Sequence, residues 1–530
     1  MKVATAAEMQ AIDREAIDGA GIPSLELMEQ AGRQVVGVIS ERYPPLATRR
    51  VVVVCGRGNN GGDGLVVARM LLGSGCPTEV ILLARAKDLS DDALTNYERL
   101  YEHHGHRIHE APDEEAFLSL APHFEKCDLL VDAIFGTGLN SPAEGRYAEA
   151  IRRMNATGKP IVAVDIPSGL SADETKIIGE HIHAECTVTF GLPKVAHLIY
   201  PSASSVGELT VADIGFPEDI ISNAPISTHL ITPEQLRRAF APRDPEAHKG
   251  TYGHLLIISG SVGKAGACVL TCRGALRAGA GLITAAVPRS ILPELSIGAV
   301  EVMTIPLPET PGGTIAHEAV SVVAEELERF SAVAVGPGLT TNPDTVAFLD
   351  DLFPAIRVPL VIDADGCNAL SQLGSKALGG TKGTVCLTPH PGEMARLLGS
   401  DTATVQADRL AAAREAARHY GAIVVLKGAR TVVANPQGEA AINLTGNPGM
   451  ASGGVGDVLT GLIGSLCARR MEPYMACQAG AYLHGYAGDL AAKEVGEIAL
   501  TASDLLEELP SAFSQVIESP AAPPSPLQLR

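Results

Sequence analysis

Residues 51–64 read VVVVCGRGNNGGDG. The first five, Val51–Cys55, are apolar and mostly β-branched, which predicts a buried strand. The rest are nearly all Gly, Asn and Asp, which predicts a loop over 56–64 and a helix over 65–72. Glycine lets backbone N–H groups approach a ligand closely. The stretch therefore predicts an α/β fold with a ligand site at the end of a strand.

The chain has 530 residues and a net charge of −20, from 41 basic and 61 acidic residues. This length predicts two or more domains. The acidic balance argues against nucleic acid as a partner, because non-specific binding to it needs a basic surface. Anionic small ligands stay open, since backbone amides and a few local cations can bind them.

The 10 cysteines are scattered without a CxxC pair. We therefore expect buried thiols in a reducing compartment rather than disulfides or a zinc site. The first residues lack the apolar core of a signal peptide, and no apolar run is long enough to span a bilayer. We expect a cytoplasmic protein with no membrane partner.

Predicted strands and helices alternate along both halves of the chain, which is typical of mostly parallel sheets with helices on both faces. The proline-rich segment 217–247 marks a boundary. We predict two α/β domains, at 1–220 and 228–515, and a disordered tail at 516–530, which is rich in Pro and Ser. Predicted strands are 51–55, 79–83, 128–133, 160–165, 187–190, 208–213, 254–259, 281–287, 332–335, 360–363, 385–387 and 423–426, with a hairpin in 432–444. Predicted helices are 6–17, 25–39, 65–72, 455–467 and 476–493.

Three loops of the first domain follow predicted strands, and each carries Gly with Asp or Ser: 56–64, 132–142 (DAIFGTGLNSP) and 165–169 (DIPSG). Each loop alone could be a tight turn with capping side chains, but three together at one sheet edge favour a ligand site. GRGNNG at 56–61 matches GxGxxG. The acid expected about 20 residues on is missing, because the next strand ends in Ile-Leu-Leu-Ala-Arg. A redox dinucleotide site is therefore less favoured than another nucleotide-like site.

The motifs NNGGDG, VDAIFGTGL, VDIPSGL and TFGLPK together resemble the NAD(P)H-hydrate epimerase family over about residues 1–216. The resemblance implies a Rossmann-like three-layer α/β/α fold, interconversion of the R and S hydrates of NADH and NADPH, and a bound potassium ion. The implied potassium ligands are Asn60, Asp132 and Ser168. The implied hydrate contacts are Asn59, Asn60, Gly61, Gly62, Asp63, Gly136, Thr137, Gly138, Leu139, Asn140, Ser141, Pro142 and Asp165.

These residue types suit that chemistry. Hard cations take oxygen ligands, and the amides of glycine-rich loops suit a pyrophosphate. Asp165 is a candidate catalytic acid or base for the inverted centre. Lys194 in TFGLPK either adds positive charge near the phosphates or is a solvated lysine.

The second domain has no GxxxxGK[ST] motif, which excludes a Walker-type phosphate loop. Residues 447–461 read NPGMASGGVGDVLTG. The glycines at 453, 454 and 456 precede an apolar helix, whose amides and dipole favour an anion. Asp457, in the first turn, either complements the dipole or takes a proton from a hydroxyl that attacks a phosphoryl group.

GxGD after a glycine run resembles the ribokinase-like superfamily. The set KGTYGHLLIISGS, GKAGACVLTCRGALRAGAGL, VGPGL, VIDADGCNAL, TPHPGEMARLL, VVLKGART and NPGMASGGVGDVLTG narrows this to the ADP-dependent NAD(P)H-hydrate dehydratase family, over about residues 230–510. This resemblance implies that Asp457 is catalytic, that ADP or else ATP donates the phosphoryl group with magnesium bound to it, and that the protein is a homo-oligomer. The implied S-hydrate contacts are Ala267, Gly338, His390 and Asp457, and the implied nucleotide contacts are Lys427, Gly428, Ala429, Arg430, Thr431 and Gly456.

Together the halves predict repair of hydrated NADH and NADPH, with ADP converted to AMP and phosphate. A lone His390 would more often be structural, but within TPHPGE we favour a site role. Two alternatives stay open. The second domain could be a kinase of the hydroxymethylpyrimidine or hydroxyethylthiazole type, because such kinases share the GxGD motif. The first domain could be a nucleotide-sensing or assembly module without catalysis.

Overall fold

The computed structural model describes residues 1–240, 242, 244–518 and 527–529. Of these, Lys2–Ile226 and Leu527–Leu529 belong to one compact unit, and Met1 and residues 227–518 belong to another. The functional ranges 1–220 and 228–515 stay predictions. The ten cysteines are all buried and free, as expected. Within the described part of the chain, every helix is too short or too polar to span a lipid bilayer.

The first unit is built on an eight-stranded sheet. Its strands are parallel except Leu527–Leu529, which runs antiparallel to β7 at one edge. The order across the sheet is Leu527–Leu529, β7, β6, β5, β4, β1, β2, β3, so the chain reverses direction across the sheet between β1 and β4. The strands are β1 (Val51–Cys55), β2 (Thr78–Leu82), β3 (Ile108–Glu110), β4 (Leu129–Ala133), β5 (Ile161–Val164), β6 (Cys186–Phe190) and β7 (Glu208–Ala212).

Helices cover both faces of this sheet. Val51, Val53 and Cys55 of β1 belong to one buried apolar cluster, and Val52 and Val54 belong to a second, because successive strand residues point to opposite faces. The result is the predicted three-layer α/β/α arrangement. The helices are α1 (Ala6–Arg14), α2 (Ser24–Arg42), α3 (Asn59–Gly73), α4 (Asp91–His104), α5 (Glu114–Ser119), α6 (Ala121–Lys126), α7 (Arg146–Ala156), α8 (Val195–Leu198) and α9 (Glu218–Asn223).

The second unit has a ten-stranded sheet in the order β11, β10, β9, β12, β13, β14, β15, β16, β17, β8. Only the β15–β16 and β16–β17 pairs are antiparallel among its described pairs. β9 and β12 are neighbours in this sheet, and successive strands of the chain are added on opposite sides of this pair, so the strand order reverses there. The strands are β8 (Thr228–Leu230), β9 (His254–Ile258), β10 (Leu282–Pro288), β11 (Met303–Leu307), β12 (Ala332–Val335), β13 (Leu360–Ile362), β14 (Val385–Leu387), β15 (Ile423–Leu426), β16 (Val432–Ala434) and β17 (Ala440–Ile442).

The central strands of this sheet are buried on both faces. Leu255 and Ile257 of β9 lie in one large apolar cluster with residues of the last three long helices, Val455–Ala468, Pro473–Val495 and Ala502–Phe513. The alternating Leu256 and Ile258 are also fully buried. The helices are α10 (Pro233–Ala239), α11 (Ala265–Ala278), α12 (Leu292–Gly298), α13 (Ala319–Ala324), α14 (Pro343–Leu352), α15 (Ala364–Leu373), α16 (Pro391–Leu398), α17 (Thr402–Ala407), α18 (Arg409–Tyr420), α19 (Val455–Ala468), α20 (Pro473–Val495) and α21 (Ala502–Phe513).

The predicted two-domain α/β fold is confirmed, and so is the hairpin, which is the β16–β17 pair. Four strands were not predicted: β3, β8, β11 and Leu527–Leu529. Each is short or lies at a sheet edge, where one side of the strand lacks a neighbour and the apolar pattern is weak.

The predicted disordered tail falls mainly on residues 519–526 and 530, which lie outside the described residues. The described part differs from the prediction. Ser514–Glu518 forms a helical turn, and Leu527–Leu529 pairs with β7. A short segment with alternating apolar residues can pair with an open edge strand even when the preceding sequence is rich in proline.

Gly64 allows α3 to pack directly on the sheet, because a Cβ there would lie 2.5 Å from Ala133 Cβ and 2.8 Å from Cys55 Sγ. We predict that Gly64→Ala destabilises this unit by about 1–3 kcal/mol through overpacking. Gly73, at the end of the same helix, has open space around it. Gly73→Ala is therefore the matched control, and it should be neutral or stabilising by up to about 1 kcal/mol. Hydrogen exchange of peptides from β1 and α3 measures both, and equal protection in the two variants would contradict the prediction.

Candidate active sites

The first unit has a cavity of about 720 Å³, lined in part by the segments that follow β1, β4 and β5. It lies where the strand order reverses, which is where open α/β sheets bind ligands. Of the predicted hydrate contacts, the lining includes Asn59, Asn60, Asp63, Gly136, Thr137, Gly138, Leu139 and Asp165. It does not include Gly61, Gly62, Asn140, Ser141 or Pro142.

The predicted loop over 56–64 is wrong for 59–64, because α3 begins at Asn59. Gly61 and Gly62 are in the first turns of the helix, and both are close-packed. A Cβ at Gly61 would lie 2.0 Å from the carbonyl oxygen of Gly56, and one at Gly62 would lie 2.7 Å from Met28 Sδ. These two glycines let α3 pack against its neighbours, while Asn59, Asn60 and Asp63 reach the cavity.

Asp165 and Lys194 form a buried ion pair in the cavity wall. Lys194 Nζ donates to Asp165 Oδ1 at 2.6 Å and to Thr189 Oγ1 at 2.7 Å, and the lysine side chain is 1% exposed. The solvated-lysine alternative is therefore wrong. Asp165 has a φ of 65°, an unusual conformation for a residue with a side chain. Burial alone would raise the pKa of Asp165, but the charge and hydrogen bonds of Lys194 and its neighbours lower it, so this carboxylate is ionised.

Three other carboxylic acids, Asp13, Asp63 and Asp92, line the same cavity. Burial raises the pKa of Asp13 to about 6, with the charge of Lys194 opposing and that of Asp165 adding to the shift. Burial, then repulsion from Asp165 and Asp13, raises the pKa of Asp63 well above its usual range. The sequence analysis missed Asp13. It could have been found from its position four residues after Met9 and four before Ile17, because residues at this spacing share one face of a helix. Met9 and Ile17 also line the cavity.

Asp132 and Ser168, two of the predicted potassium ligands, are in direct contact. Asp132 Oδ1 accepts from Ser168 Oγ at 2.6 Å, and Oδ2 accepts from the Ser168 N–H at 2.8 Å. Both are fully buried, and no ion pair among the described residues involves Asp132. Burial raises the pKa of Asp132 to about 6, although hydrogen bonds from Ser168 and Ile134 oppose the shift.

Asn60 lies beside the 136–142 segment, since a Cβ at Gly136 would lie 3.5 Å from Asn60 Oδ1. Its Nδ2 is buried and has no hydrogen-bond partner among the described residues. A buried, unneutralised carboxylate near oxygen-bearing side chains fits a hard cation.

Glu79, His109 and His123 are another group of potential metal ligands, with ligand atoms within 4.8 Å of one another. Glu79 already pairs with Arg107 and with His109. None of the three lines the cavity, and they were not predicted as ligands.

In the second unit, the structure brings Ala267 and Gly338 together at the ends of β9 and β12, where this sheet also reverses. Gly338 has a φ of 70°, and a Cβ there would lie 3.1 Å from Ala267 Cβ. Ser261 Oγ donates to the Gly338 carbonyl at 2.7 Å and helps to fix this turn.

Asp457 lies in the first turn of α19, whose N-terminus is open. The N-cap is Gly454, with a φ of 89°, and no side chain caps the helix there. Uncapped amides at a helix N-terminus fit an anion. Burial raises the pKa of Asp457 to about 7, with repulsion from Asp363 adding to the shift and Lys427 opposing it.

Lys427 lies beside this N-terminus. Its Nζ donates to Asp363 Oδ1 at 2.5 Å and is 3.9 Å from Glu393 Oε2. A Cβ at Gly456 would lie 3.3 Å from Lys427 Nζ. Burial alone would lower the pKa of Lys427, but Asp363 and Glu393 raise it, so the ammonium stays charged. The sequence analysis missed Asp363 and Glu393, although both stand in quoted motifs at strand ends.

His390 is the N-cap of α16. Its Nδ1 accepts from the Gly392 N–H at 3.0 Å, and its Nε2 is 3.2 Å from Glu393 Oε1. Burial and then the charge of Lys427 lower its pKa, so the ring is neutral. His390 therefore has a structural role as the cap of α16, which is one of the two roles considered for it. Glu393 contacts both His390 and Lys427. A hydrate contact by His390 stays a prediction.

The predicted nucleotide contacts 427–431 form the loop between β15 and β16. Arg409, which is buried, donates from Nη2 to the carbonyls of Leu426 at 3.0 Å and Lys427 at 3.2 Å. Gly428 has a φ of 138°, and a Cβ there would lie 3.1 Å from Arg409 Nη1. Thr431 Oγ1 donates back to the Gly428 carbonyl. Arg409 thus holds the loop from its buried side.

Two family models match the chain. One is described as YjeF-related protein N-terminus and matches residues 24–196, and the other is described as NAD(P)H-hydrate dehydratase and matches residues 255–511. The crystal structure of an ADP/ATP-dependent NAD(P)H-hydrate dehydratase from Bacillus subtilis, co-crystallised with ATP and Mg²⁺, is 31% identical with a TM-score of 0.49. It covers 54% of this chain and 98% of that one.

Similarity to curated proteins extends over the whole length. The chain is 46% identical over 523 residues to the bifunctional NAD(P)H-hydrate repair enzyme of Moorella thermoacetica, covering 98% of both chains. It is 37% identical over 500 residues to the enzyme of the same name from Escherichia coli, covering 94% of this chain and 91% of that one. Both halves of the match lie on one continuous chain, so the chain belongs to the family of bifunctional NAD(P)H-hydrate repair enzymes.

Proposed function

We propose that this chain repairs hydrated NADH and NADPH in two steps. The first unit interconverts the R and S hydrates, and the second dehydrates the S hydrate with ADP, which becomes AMP and phosphate. The observation that carries the proposal is the match to bifunctional relatives over 98% of the chain. The comparisons give the small-molecule kinase alternative no better support.

Asp165 is the proposed base of the epimerisation. Inverting a carbon that carries a hydroxyl requires a proton to leave and return, and an ionised carboxylate in the cavity wall can accept it. The ion pair with Lys194 supports this role because it keeps Asp165 ionised and fixes its position. The cavity of about 720 Å³ is within the usual size of a small-molecule site.

Asn60, Asp132 and Ser168 are the proposed potassium ligands. The buried charge of Asp132 has no cationic partner among the described residues, and burying an unpaired charge is costly. A bound potassium ion would neutralise this carboxylate and supply positive charge to the hydrate. The residues themselves would hold the segments after β4 and β5 in place through the Asp132–Ser168 contacts.

Dehydration in the second unit needs a better leaving group than hydroxide. Asp457 removes the proton of the hydrate hydroxyl while the oxygen attacks the terminal phosphorus of the nucleotide and the bond to AMP breaks. The ring nitrogen then expels phosphate, and loss of one proton from the neighbouring carbon restores the dihydronicotinamide ring of NADH or NADPH. The open amides of α19 and the charge of Lys427 are placed to stabilise the transferring group.

Several finer points remain predictions. They are ADP rather than ATP as donor, magnesium bound with the nucleotide, roles of Gly428, Ala429, Arg430 and Thr431 in nucleotide binding, a homo-oligomer and a cytoplasmic location. The free buried cysteines are consistent with a reducing compartment.

Replacing potassium by tetramethylammonium at equal ionic strength should slow epimerisation by about tenfold or more. Tenfold corresponds to about 1.4 kcal/mol of lost transition-state stabilisation. Asp132→Asn should lower the rate in potassium and remove the cation dependence, while the exposed Glu125→Gln should change neither. NMR of a pure R hydrate measures the rate. Unchanged rates without potassium would contradict the assignment of a potassium site.

Asp457→Asn should reduce nucleotide-dependent dehydration by about 10²–10⁴-fold, the usual loss for a positioned general base. Epimerisation should persist, because its carboxylates lie in the other unit. Asp350→Asn, an exposed change on α14, is the control. Recovery of the nicotinamide absorbance from S hydrate measures dehydration, and a wild-type rate in Asp457→Asn would overturn the phosphoryl-transfer mechanism.

The pH profile tests the ionisation of Asp457. A general base works deprotonated, so kcat/KM for dehydration should rise with pH through about 7 and then level off. Asp365 also raises the pKa of Asp457. Asp365→Asn should therefore move the midpoint to lower pH. A midpoint that stays in place or moves upward would argue against Asp457 as the titrating base.

A further inference from the structure

Asp13 is a carboxylic acid in an otherwise apolar stripe. Met9, Asp13 and Ile17 follow one another at four-residue spacing along α1 and the turn after it, and all three line the first cavity. The buried side of α1 otherwise consists of Met9 and Ile12. An acid in such a stripe gains nothing from packing, since burial penalises its charge.

Asp13 has no fixed partner. Within the part of the chain that the structure describes, no hydrogen bond or salt bridge to its side chain is recorded, whereas Asp165 is bound by Lys194 and Thr189. Asp13 is therefore free to bond a ligand in the cavity. The titratable groups that shift its pKa or line the same cavity are Asp63 on α3, Asp92 on α4, Asp165 after β5, Lys194 before α8, and Arg57, Arg146 and Tyr147. His197 on α8 acts on Asp165.

The surroundings shift the pKa values of the two acids in opposite directions. The ion pair with Lys194 lowers that of Asp165, while burial raises that of Asp13 to about 6, with the charge of Lys194 opposing and that of Asp165 adding to the shift. Two carboxylates with separated pKa values in one cavity are the usual sign of an acid and a base.

We propose that Asp13 is the catalytic acid that works opposite Asp165 in epimerisation. The inference rests on the proposed function of the first unit. The inverted carbon of the hydrate is bonded to both a hydroxyl oxygen and the ring nitrogen.

The proton transfers balance in both directions. Asp165 takes the hydroxyl proton, and the electron pair of the oxygen–hydrogen bond becomes the second bond of a carbonyl group. The carbon–nitrogen bond breaks at the same time. Its electron pair goes to nitrogen, which receives the proton of Asp13. After rotation of the carbonyl group, nitrogen attacks the other face, Asp13 recovers its proton and Asp165 returns its own to oxygen. No oxidant or other co-reactant is consumed.

The test uses the full chain and a pure R hydrate, with epimerisation above the uncatalysed rate followed by NMR. Asp13→Asn should slow it by about 10²–10⁴-fold, while dehydration of S hydrate stays at the wild-type rate. Asp13→Glu should recover part of the loss, because it keeps the acid. Asp18→Asn, an exposed change just beyond α1, is the matched control and should behave as wild type.

The pH profile separates catalysis from a structural role. In the wild type, epimerisation should decline above about pH 6 as Asp13 loses its proton, and Asp13→Asn should lack that decline. Equal hydrogen exchange of α1 in both proteins would show that the variant is folded. A wild-type rate in Asp13→Asn, or an unchanged decline with pH, would overturn the role of Asp13. A wild-type chain that fails to interconvert the hydrates would instead overturn the proposed function itself.

Discussion

Direct contact between a glycine-bearing helix and its neighbours determines where both sites lie. In the first unit, α3 approaches β1 and β4 so closely that Gly64 has no room for a Cβ. In the second, Gly461 of α19 would place a Cβ 1.9 Å from the carbonyl oxygen of Thr271 on α11. The first contact sets the N-terminus of α3 where the strand order reverses, and the first turn of α19 lies beside Lys427, which follows β15. Asn59 lines the cavity of the first unit, and Asp457 lies in the first turn of α19.

Both sites contain one buried carboxylate that is paired with a lysine and a second acid whose pKa is raised mainly by burial. Lys194 keeps Asp165 charged, and Lys427 is held by Asp363 while Asp457 nearby keeps its proton up to about pH 7. The same physical principle thus serves two reactions. In each site one acid is paired with an ammonium and another is left without a cation, so that burial controls its proton.

Much of the fold could be predicted because the sheet interiors are almost entirely apolar. β1, β12, β14 and β15 have the predicted bounds. The short edge strands could not be predicted, since their pairing depends on neighbours and not on local pattern. The start of α3 was missed for a different reason. Gly61, Gly62 and Gly64 are poor helix formers, and the tertiary packing that favours glycine there overrides that preference.

The candidate sites were also predictable only where the local sequence carries the information. Residues within motifs, such as Asn60, Asp132 and Gly338, were predicted from the family resemblance of those motifs, and the structure places Asp132 against Ser168 and Gly338 against Ala267. Asp13 lies outside every quoted motif, about 150 residues before Asp165, and only the fold brings the two to one cavity. The buried ion pair of Lys194 could not be predicted either, because the sequence around a lysine in a loop does not show whether its side chain is buried.

The loop between β15 and β16 carries a consequence for how relatives of this chain can diverge. The guanidinium of Arg409 occupies the space that a side chain at 428 would need, and it also holds the carbonyls of Leu426 and Lys427. Positions 409 and 428 therefore share one volume. Gly428 also has a φ of 138°, which strains any side chain there. In homologous chains we therefore expect glycine to be kept at 428, even where a shorter residue at 409 leaves that volume open.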